Sequence, residues 1–353
     1  MGPMTGSREN LAVVGTYTDD GGDGLVTFAV DPDQHTLEQR DIVKAANPSF
    51  FAFHPSNETL VAVEEVEDGS LVSCHLDDET GRLRQSNRTS SGGDGPCHVA
   101  IDPTGKYAVV SHYAGGSVGL VGLGSEGEFA GVVDCQEHDG SGRDPSRQAS
   151  PHPHSANFVT DNVVYVPDLG TDRLFVYELD RAADRLRPVE SGHLDVQSGA
   201  GPRHFVRHPD VPVGYLVNEL DSTITVLDLS NVRHPMATES ISTLPPDPDP
   251  GENMAAAIHI DPRGEYLLSS NRGHDSIARF DVAAEPSTPE FVGTTPSGGQ
   301  WPREFTFSPV GSTIYVCNQH SNAVLPLEFS DGDLRESDAA GVSIAAPACM
   351  KFR

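Results

Sequence analysis

Hydrophobic positions along this chain come in short runs, and almost none of them repeat at the spacing of a helix. Residues 11–17, 25–30, 60–63, 163–166, 174–179, 215–217, 223–227, 266–269 and 314–317 are rich in β-branched and aromatic side chains. Gly, Pro, Asn and Asp separate them, as in Asp31-Pro32 and Asp331-Gly332, so each run predicts a short strand ended by a turn. One phrase recurs. Pro96-Cys97-His98-Val99-Ala100-Ile101-Asp102-Pro103-Thr104-Gly105-Lys106-Tyr107-Ala108-Val109-Val110 reads as a strand, a tight Pro-x-Gly turn and a second strand. Similar phrases begin at Pro48, Pro153, Pro202, Ala255 and Pro302, and a truncated one at Pro347, at intervals of 45 to 57 residues.

Repeats of this period, each with two further strands such as 71–76, 174–180 or 277–282, predict β-propeller blades of four antiparallel strands. The copy at Pro347 supplies a first strand with no second, and residues 11–17 supply a second strand with no first. The expectation is an all-β, seven-bladed propeller whose ring is closed by the N- and C-terminal strands in one blade. Residues 1–10 are expected to be a disordered tail and 11–353 a single domain, although 353 residues could make two ordinary domains. Two longer intervals, 134–150 and 243–253, are expected to be loops, the first with the stronger claim to a function.

The formal charge is -29, with three lysines (Lys44, Lys106, Lys351) against 20 arginines. A surface this acidic suits a protein kept soluble in high salt, and it argues against nucleic acid or an anionic membrane as partner. The five cysteines are scattered and never spaced C-x-x-C, which argues against a disulfide framework or a metal cluster. No apolar run nears 18 residues and the N-terminus has no signal-peptide pattern, so a cytoplasmic location is expected. No metal and no cofactor is called for, and a monomer or weak homo-oligomer is expected.

A propeller fixes where a site can lie. The start of each first strand and the end of each second strand meet on one face, around the central channel. Just after the anchor position stand Ser49, Cys97, His154, Arg203, Ala256, Arg303 and Ala348. At the end of the second strands stand Tyr17, Glu64, Glu65, His112, Tyr113, Asp168, Glu219, Asn271, Arg272, Asn318 and Gln319. Arg203, Arg272 and Arg303 converge on this face of an acidic protein, which points to an anionic ligand. His154 and Glu219 beside them are candidate acid–base groups. His152, His204, His274, Asn271 and Gln319 are candidate substrate contacts; Cys97 reads as structural.

At these residues the chain resembles the lactonase-type seven-bladed propellers, which include propeller-type 6-phosphogluconolactonases and carboxy-cis,cis-muconate cyclases. The resemblance rests on Arg147-Gln148-Ala149-Ser150-Pro151-His152-Pro153-His154, Asp168-Leu169-Gly170-Thr171-Asp172, Gly201-Pro202-Arg203-His204, Asn218-Glu219-Leu220, Ser270-Asn271-Arg272-Gly273-His274-Asp275-Ser276-Ile277 and Trp301-Pro302-Arg303-Glu304-Phe305. It implies His154, Arg203, Glu219 and Arg272 as the catalytic set; Arg303 is a candidate substrate contact from the ring of residues at the mouth. It also implies hydrolysis of a small anionic lactone, most simply 6-phosphogluconolactone to 6-phosphogluconate. A muconate-type cyclase, a lactonase for a non-phosphorylated sugar lactone and a non-catalytic binding platform are the alternatives.

Overall fold

The computed structural model describes residues 10–55, 58–125, 127–246 and 251–353. Within them seven antiparallel sheets follow one another around a ring. The first six blades run in chain order, each from its inner strand outward. Blade 1 starts at Phe51–Phe53, blade 2 at Pro96–Ile101, blade 3 at Asn157–Phe158, blade 4 at Pro202–Arg207, blade 5 at Met254–Ile260 and blade 6 at Pro302–Phe307.

Blade 7 is built from both ends of the chain, as the strand count predicts. Pro347–Phe352 forms its inner strand and Asn10–Thr16, Leu25–Val30 and Leu37–Val43 complete it. Ala12 pairs with Phe352 and Val14 with Met350. Asn10 is the first residue of a strand, and the rest of the expected tail lies outside the described residues. In the expected loop 243–253, residues 247–250 also lie outside them. The loop expected over 134–150 is shorter than that, because Phe129–Glu137 continues blade 2's outer strand, with Cys135 opposite Gly119 and Glu137 opposite Ser117.

Burial explains why the strands read as apolar runs and not as alternations. A blade's second strand is covered on both faces by neighbouring blades, and Thr59–Glu64, Tyr107–His112 and Thr313–Asn318 are buried throughout. Each apolar cluster spans an interface between blades: Val163, Tyr165 and Val176 of blade 3 pack on Phe205, Leu216 and Leu227 of blade 4. Each buried Val or Leu contributes about 1.5–3 kcal/mol. The outer strands keep one face in water; Leu83–Ser90 and Met236–Ser242 are mostly exposed. The repeated Asp-Pro-x-Gly turn is wired alike in two blades. Asp102 Oδ1 accepts from the N–H groups of Lys106 and Tyr107 at 2.7 and 2.8 Å, and Asp261 Oδ1 does the same for Glu265 and Tyr266. Both turns need a left-handed residue, supplied by Gly105 and Gly264 at φ 72°. No helix of the described residues is long and apolar enough to cross a membrane.

Candidate active site

The side chains at the channel mouth are aimed by a backbone irregularity that repeats. In blades 2, 4 and 6 the pairing of the inner strand skips one residue just after the anchor proline. Pro96, Pro202 and Pro302 pair with the second strand, as do His98, His204 and Glu304, while Cys97, Arg203 and Arg303 between them do not. The same shift sets apart Ala348 in blade 7, and blade 5 is bulged at Ala256 and Ala257. A bulge bends the strand and re-aims the extra side chain.

The facing ring comes from the second strands. Their last paired residues are buried and bonded into the wall: Asn218 Nδ2 donates to Thr223 Oγ1 at 2.8 Å, Asn318 Nδ2 to the Ser297 carbonyl at 3.0 Å, and Glu64 accepts from Ser70 Oγ at 2.6 Å. The following residues, including Tyr17, Glu65, Tyr113, Glu219 and Gln319, hold the mouth; Arg272, the residue after Asn271, takes that place in blade 5.

Glu219 is the hub. Its Oε1 accepts from Arg147 at 2.5 Å, and its Oε2 lies 2.8 Å from Arg272 Nη2 and 3.2 Å from Arg203 Nε. The Glu219, Arg203 and Arg272 side chains are at most 5% exposed. Burial would raise the Glu219 pKa, but Arg272, Arg203, His154 and Arg147 together hold its carboxyl well below the usual range. Glu219 is therefore a fixed anion. Burial and the neighbouring Arg272 and Arg303 lower the Arg203 pKa to about 10. Arg203 donates to the Ala256 carbonyl at 2.7 Å, but its Nε, though near Glu219, has no aligned acceptor among the described residues. Arg272 donates to the carbonyls of Met254 and Ala255 and lies over the Trp301 ring at 5.5 Å.

His154 stands beside this cluster, 6% exposed, with Nδ1 at 4.0 Å from Cys97 Sγ and its ring edge-on to Tyr113 and His204. Burial first, then Arg203, drives its pKa well below 6.5, so the imidazole is neutral at neutral pH. A neutral imidazole can accept a proton. Arg303 closes the other side of the mouth. It donates to Tyr17 Oη at 2.5 Å, Tyr17 Oη donates to Glu65 Oε2 at 2.9 Å, and Ser49 Oγ donates to that same oxygen. Four guanidiniums thus face two carboxylates, a net +2 at the mouth of a chain of charge -29.

The model of the family described as lactonase, 7-bladed beta-propeller, matches residues 11–352. The chain belongs to that family. It is 30% identical to the 6-phosphogluconolactonase of Bacillus subtilis (strain 168), over 97% of this chain and 98% of the relative. It is 29% identical to the 6-phosphogluconolactonase of Formosa agariphila, over 88% and 90% of the two chains. Among solved structures it is similar to the periplasmic gluconolactonase of Pseudomonas aeruginosa, with a TM-score of 0.92, 27% identity and coverage of 97% and 98%.

Against the residues singled out in the sequence, the structure gathers His154, Arg203, Glu219, Arg272 and Arg303 at this lactonase-family mouth. His152 stacks on Tyr113 at 4.5 Å and its Nδ1 meets the Tyr113 carbonyl at 2.7 Å, so it backs the wall beside His154. His204 turns into the central channel, a cavity of about 700 Å³ below the mouth. Asn271 is fully buried, its amide bonded to Thr243, and His274 is tied to Ser276 at 2.7 Å; neither is brought to the arginine cluster. Gln319 reaches Asp20 at 3.4 Å and keeps a buried, unbonded Oε1.

Arg147 was absent from the sequence-derived site. It arrives on the loop after Glu137, which is stapled to blade 3 by His138 against Asp168 at 2.6 Å and by Gln148 to Asp172 at 2.7 Å. The signal available was its position in the Arg-Gln-x-x-Pro-His-Pro-His string. Tyr17, Glu65 and Tyr113 stood in the predicted ring but carried no assigned role.

Proposed function

We propose that this chain hydrolyses 6-phosphogluconolactone to 6-phosphogluconate. The observation that carries the reading is the four-arginine mouth beside a neutral, buried His154; the kinship with 6-phosphogluconolactonases supports the substrate. The phosphate binds among Arg147, Arg272 and Arg303, guanidiniums that present forked donors to such a group. His154 takes a proton from water as the water oxygen attacks the lactone carbonyl. Arg203 and Arg272 place their positive charge beside the oxygen that becomes negative. The ring C–O bond then breaks, and the proton on His154 passes to the departing ring oxygen. Glu219, already claimed by three arginines, holds them in place and does not take up the proton. A dianionic substrate also raises the proton affinity of His154 by offsetting the Arg203 charge.

A second reading keeps the chemistry and drops the phosphate, with a gluconolactone as substrate; similarity to the periplasmic gluconolactonase favours it. The acidic surface supports a medium of high salt as the working environment. The test is loss of 6-phosphogluconolactone and of D-glucono-δ-lactone above their spontaneous rates in molar salt. Acceleration of the first by more than the second supports the phosphate site. Acceleration of neither rejects a lactonase and leaves a binding platform.

A further inference from the structure

The half of the mouth opposite the Glu219 cluster has a different chemistry. Ser49 is 3% exposed, and its hydroxyl and that of Tyr17 both donate to one oxygen of Glu65, Oε2. The Tyr17 hydroxyl in turn accepts from Arg303 Nη2 at 2.5 Å. The whole chain of donors therefore runs one way, from guanidinium to phenol to carboxylate. It fixes the Glu65 rotamer and leaves Oε1 with no hydrogen-bond partner among the described residues. Glu65 is partly exposed at the mouth, and Arg303 keeps N–H groups not used on Tyr17.

An open carboxylate oxygen beside free guanidinium N–H groups offers an acceptor and donors side by side. A hydroxyl needs both: it gives its hydrogen to the carboxylate and accepts on its oxygen. A second carboxylate on a ligand offers no hydrogen and is repelled by Glu65. We propose that Glu65, positioned by Tyr17 and Ser49 and paired with Arg303, is a hydroxyl-recognition subsite that commits this active site to polyhydroxylated lactones and excludes dicarboxylic, muconate-type ones. The inference rests on the lactonase reading of the same mouth and deepens it by naming the substrate class.

Arg303 is shared between the two halves, since it also bounds the arginine cluster; its charge acts on Arg203 and Arg272. A sugar lactone lying across the mouth thus meets donors at its carbonyl end and the Glu65 acceptor at its hydroxyls. A site built to bond a substrate hydroxyl discriminates strongly against the analogue that lacks it, because its polar groups are then left unpaired.

The experiment compares kcat/KM for D-glucono-δ-lactone and δ-valerolactone, which share a six-membered lactone ring and differ in their hydroxyl and hydroxymethyl groups. The wild type favours the hydroxylated ring, and Glu65→Gln lowers the ratio of the two constants at least about tenfold, through KM for the hydroxylated ring. Ser49→Ala, which frees Glu65 without removing it, lowers the ratio by less. Thermal unfolding of both variants reports whether they fold. If Glu65→Gln unfolds, Ser49→Ala and Tyr17→Phe carry the test on the same ratio. An equal loss on both lactones, or an unchanged ratio in folded variants, overturns the subsite while leaving the lactonase reading intact. Failure of the wild type to accelerate 6-phosphogluconolactone as well as these two lactones removes the lactonase reading, and the subsite with it.

Discussion

Replacing Glu219 by Gln tests the division of labour at the mouth. The carboxylate is nearly sealed from water, and both of its oxygens are held by arginines, at 2.5, 2.8 and 3.2 Å. Gln keeps the shape and one acceptor oxygen but removes the charge. Three guanidiniums then face one another with no counter-ion, and breaking a buried ion pair in this way costs about 3–5 kcal/mol. The same deletion should strengthen anion binding. A unit charge about 6 Å from a bound anion, at an effective dielectric constant of about 20, contributes roughly 3 kcal/mol, or on the order of a hundredfold in affinity. Urea unfolding in phosphate-free buffer should show the variant less stable by that amount, and added phosphate should restore much of the loss. Calorimetry should show tighter phosphate binding by the variant. Because the folded pKa of Glu219 is depressed, its stabilisation is fully present above the ordinary 4.5 and is lost as pH falls below that value, so the gap between variant and wild type should narrow in acid. Equal stability without phosphate together with unchanged phosphate affinity would refute the counter-ion role. A variant that is stable, binds phosphate as before and loses turnover would instead make Glu219 the base.

Four further outcomes follow from the same geometry. Since burial and Arg203 depress the His154 pKa, the acid limb of kcat/KM should lie below pH 6.5, activity falling as His154 takes a proton, and His154→Gln should abolish that limb. Arg272→Ala should lower kcat/KM for the lactone about 10²–10³-fold while circular dichroism stays native, because Arg147 and Arg203 still neutralise Glu219. Deleting residues 347–353 removes the inner strand of blade 7 and exposes the edge of Asn10–Thr16; the product should be insoluble or oligomeric on gel filtration. Raising salt from 0.1 to 1 M should increase kcat/KM for an anionic lactone several-fold, because the Debye length falls from about 10 to about 3 Å and surface repulsion is screened before contacts at the mouth are; a monotonic fall would contradict this.

The architecture was legible because each level of the repeat agrees with the next. The apolar second strand recurs in blade after blade, the anchor proline in all but one and the Asp-Pro-x-Gly turn in two, and the two incomplete ends match. Chemistry was legible only in part, since a site residue is one that departs from its repeat: Arg203, Arg303, His154 and Glu219 stand where other blades carry Cys97, Ala348 or Leu169. What was not legible came from two physical sources. Arg147 reaches the mouth from outside the repeat, on a loop whose course depends on the His138–Asp168 and Gln148–Asp172 bonds, and no periodicity encodes those. Asn271 is the last residue of its strand to pair with the blade's third strand and Arg272 is the next, and one step along a strand turns a side chain from the mouth into the wall. The sequence could bring both to the right face, but only the register separates the residue bonded into the wall from the one that joins the arginine cluster.

The charge of this chain makes the arrangement of the mouth intelligible. A surface of net -29 repels an anion at long range, so attraction must be supplied where the ligand is in contact and water is largely gone. Buried arginines do this, but four of them unopposed would repel one another; burial first, and then Arg272 and Arg303, already lower the Arg203 pKa to about 10. Two carboxylates resolve the conflict in different ways. Glu219 is saturated by three guanidiniums and fixes their spacing, whereas Glu65 is bonded to two neutral hydroxyls and keeps an oxygen for the ligand. The mouth therefore remains positive enough to hold a phosphate, rigid enough to place it, and still able to read the hydroxyls of the ring attached to it.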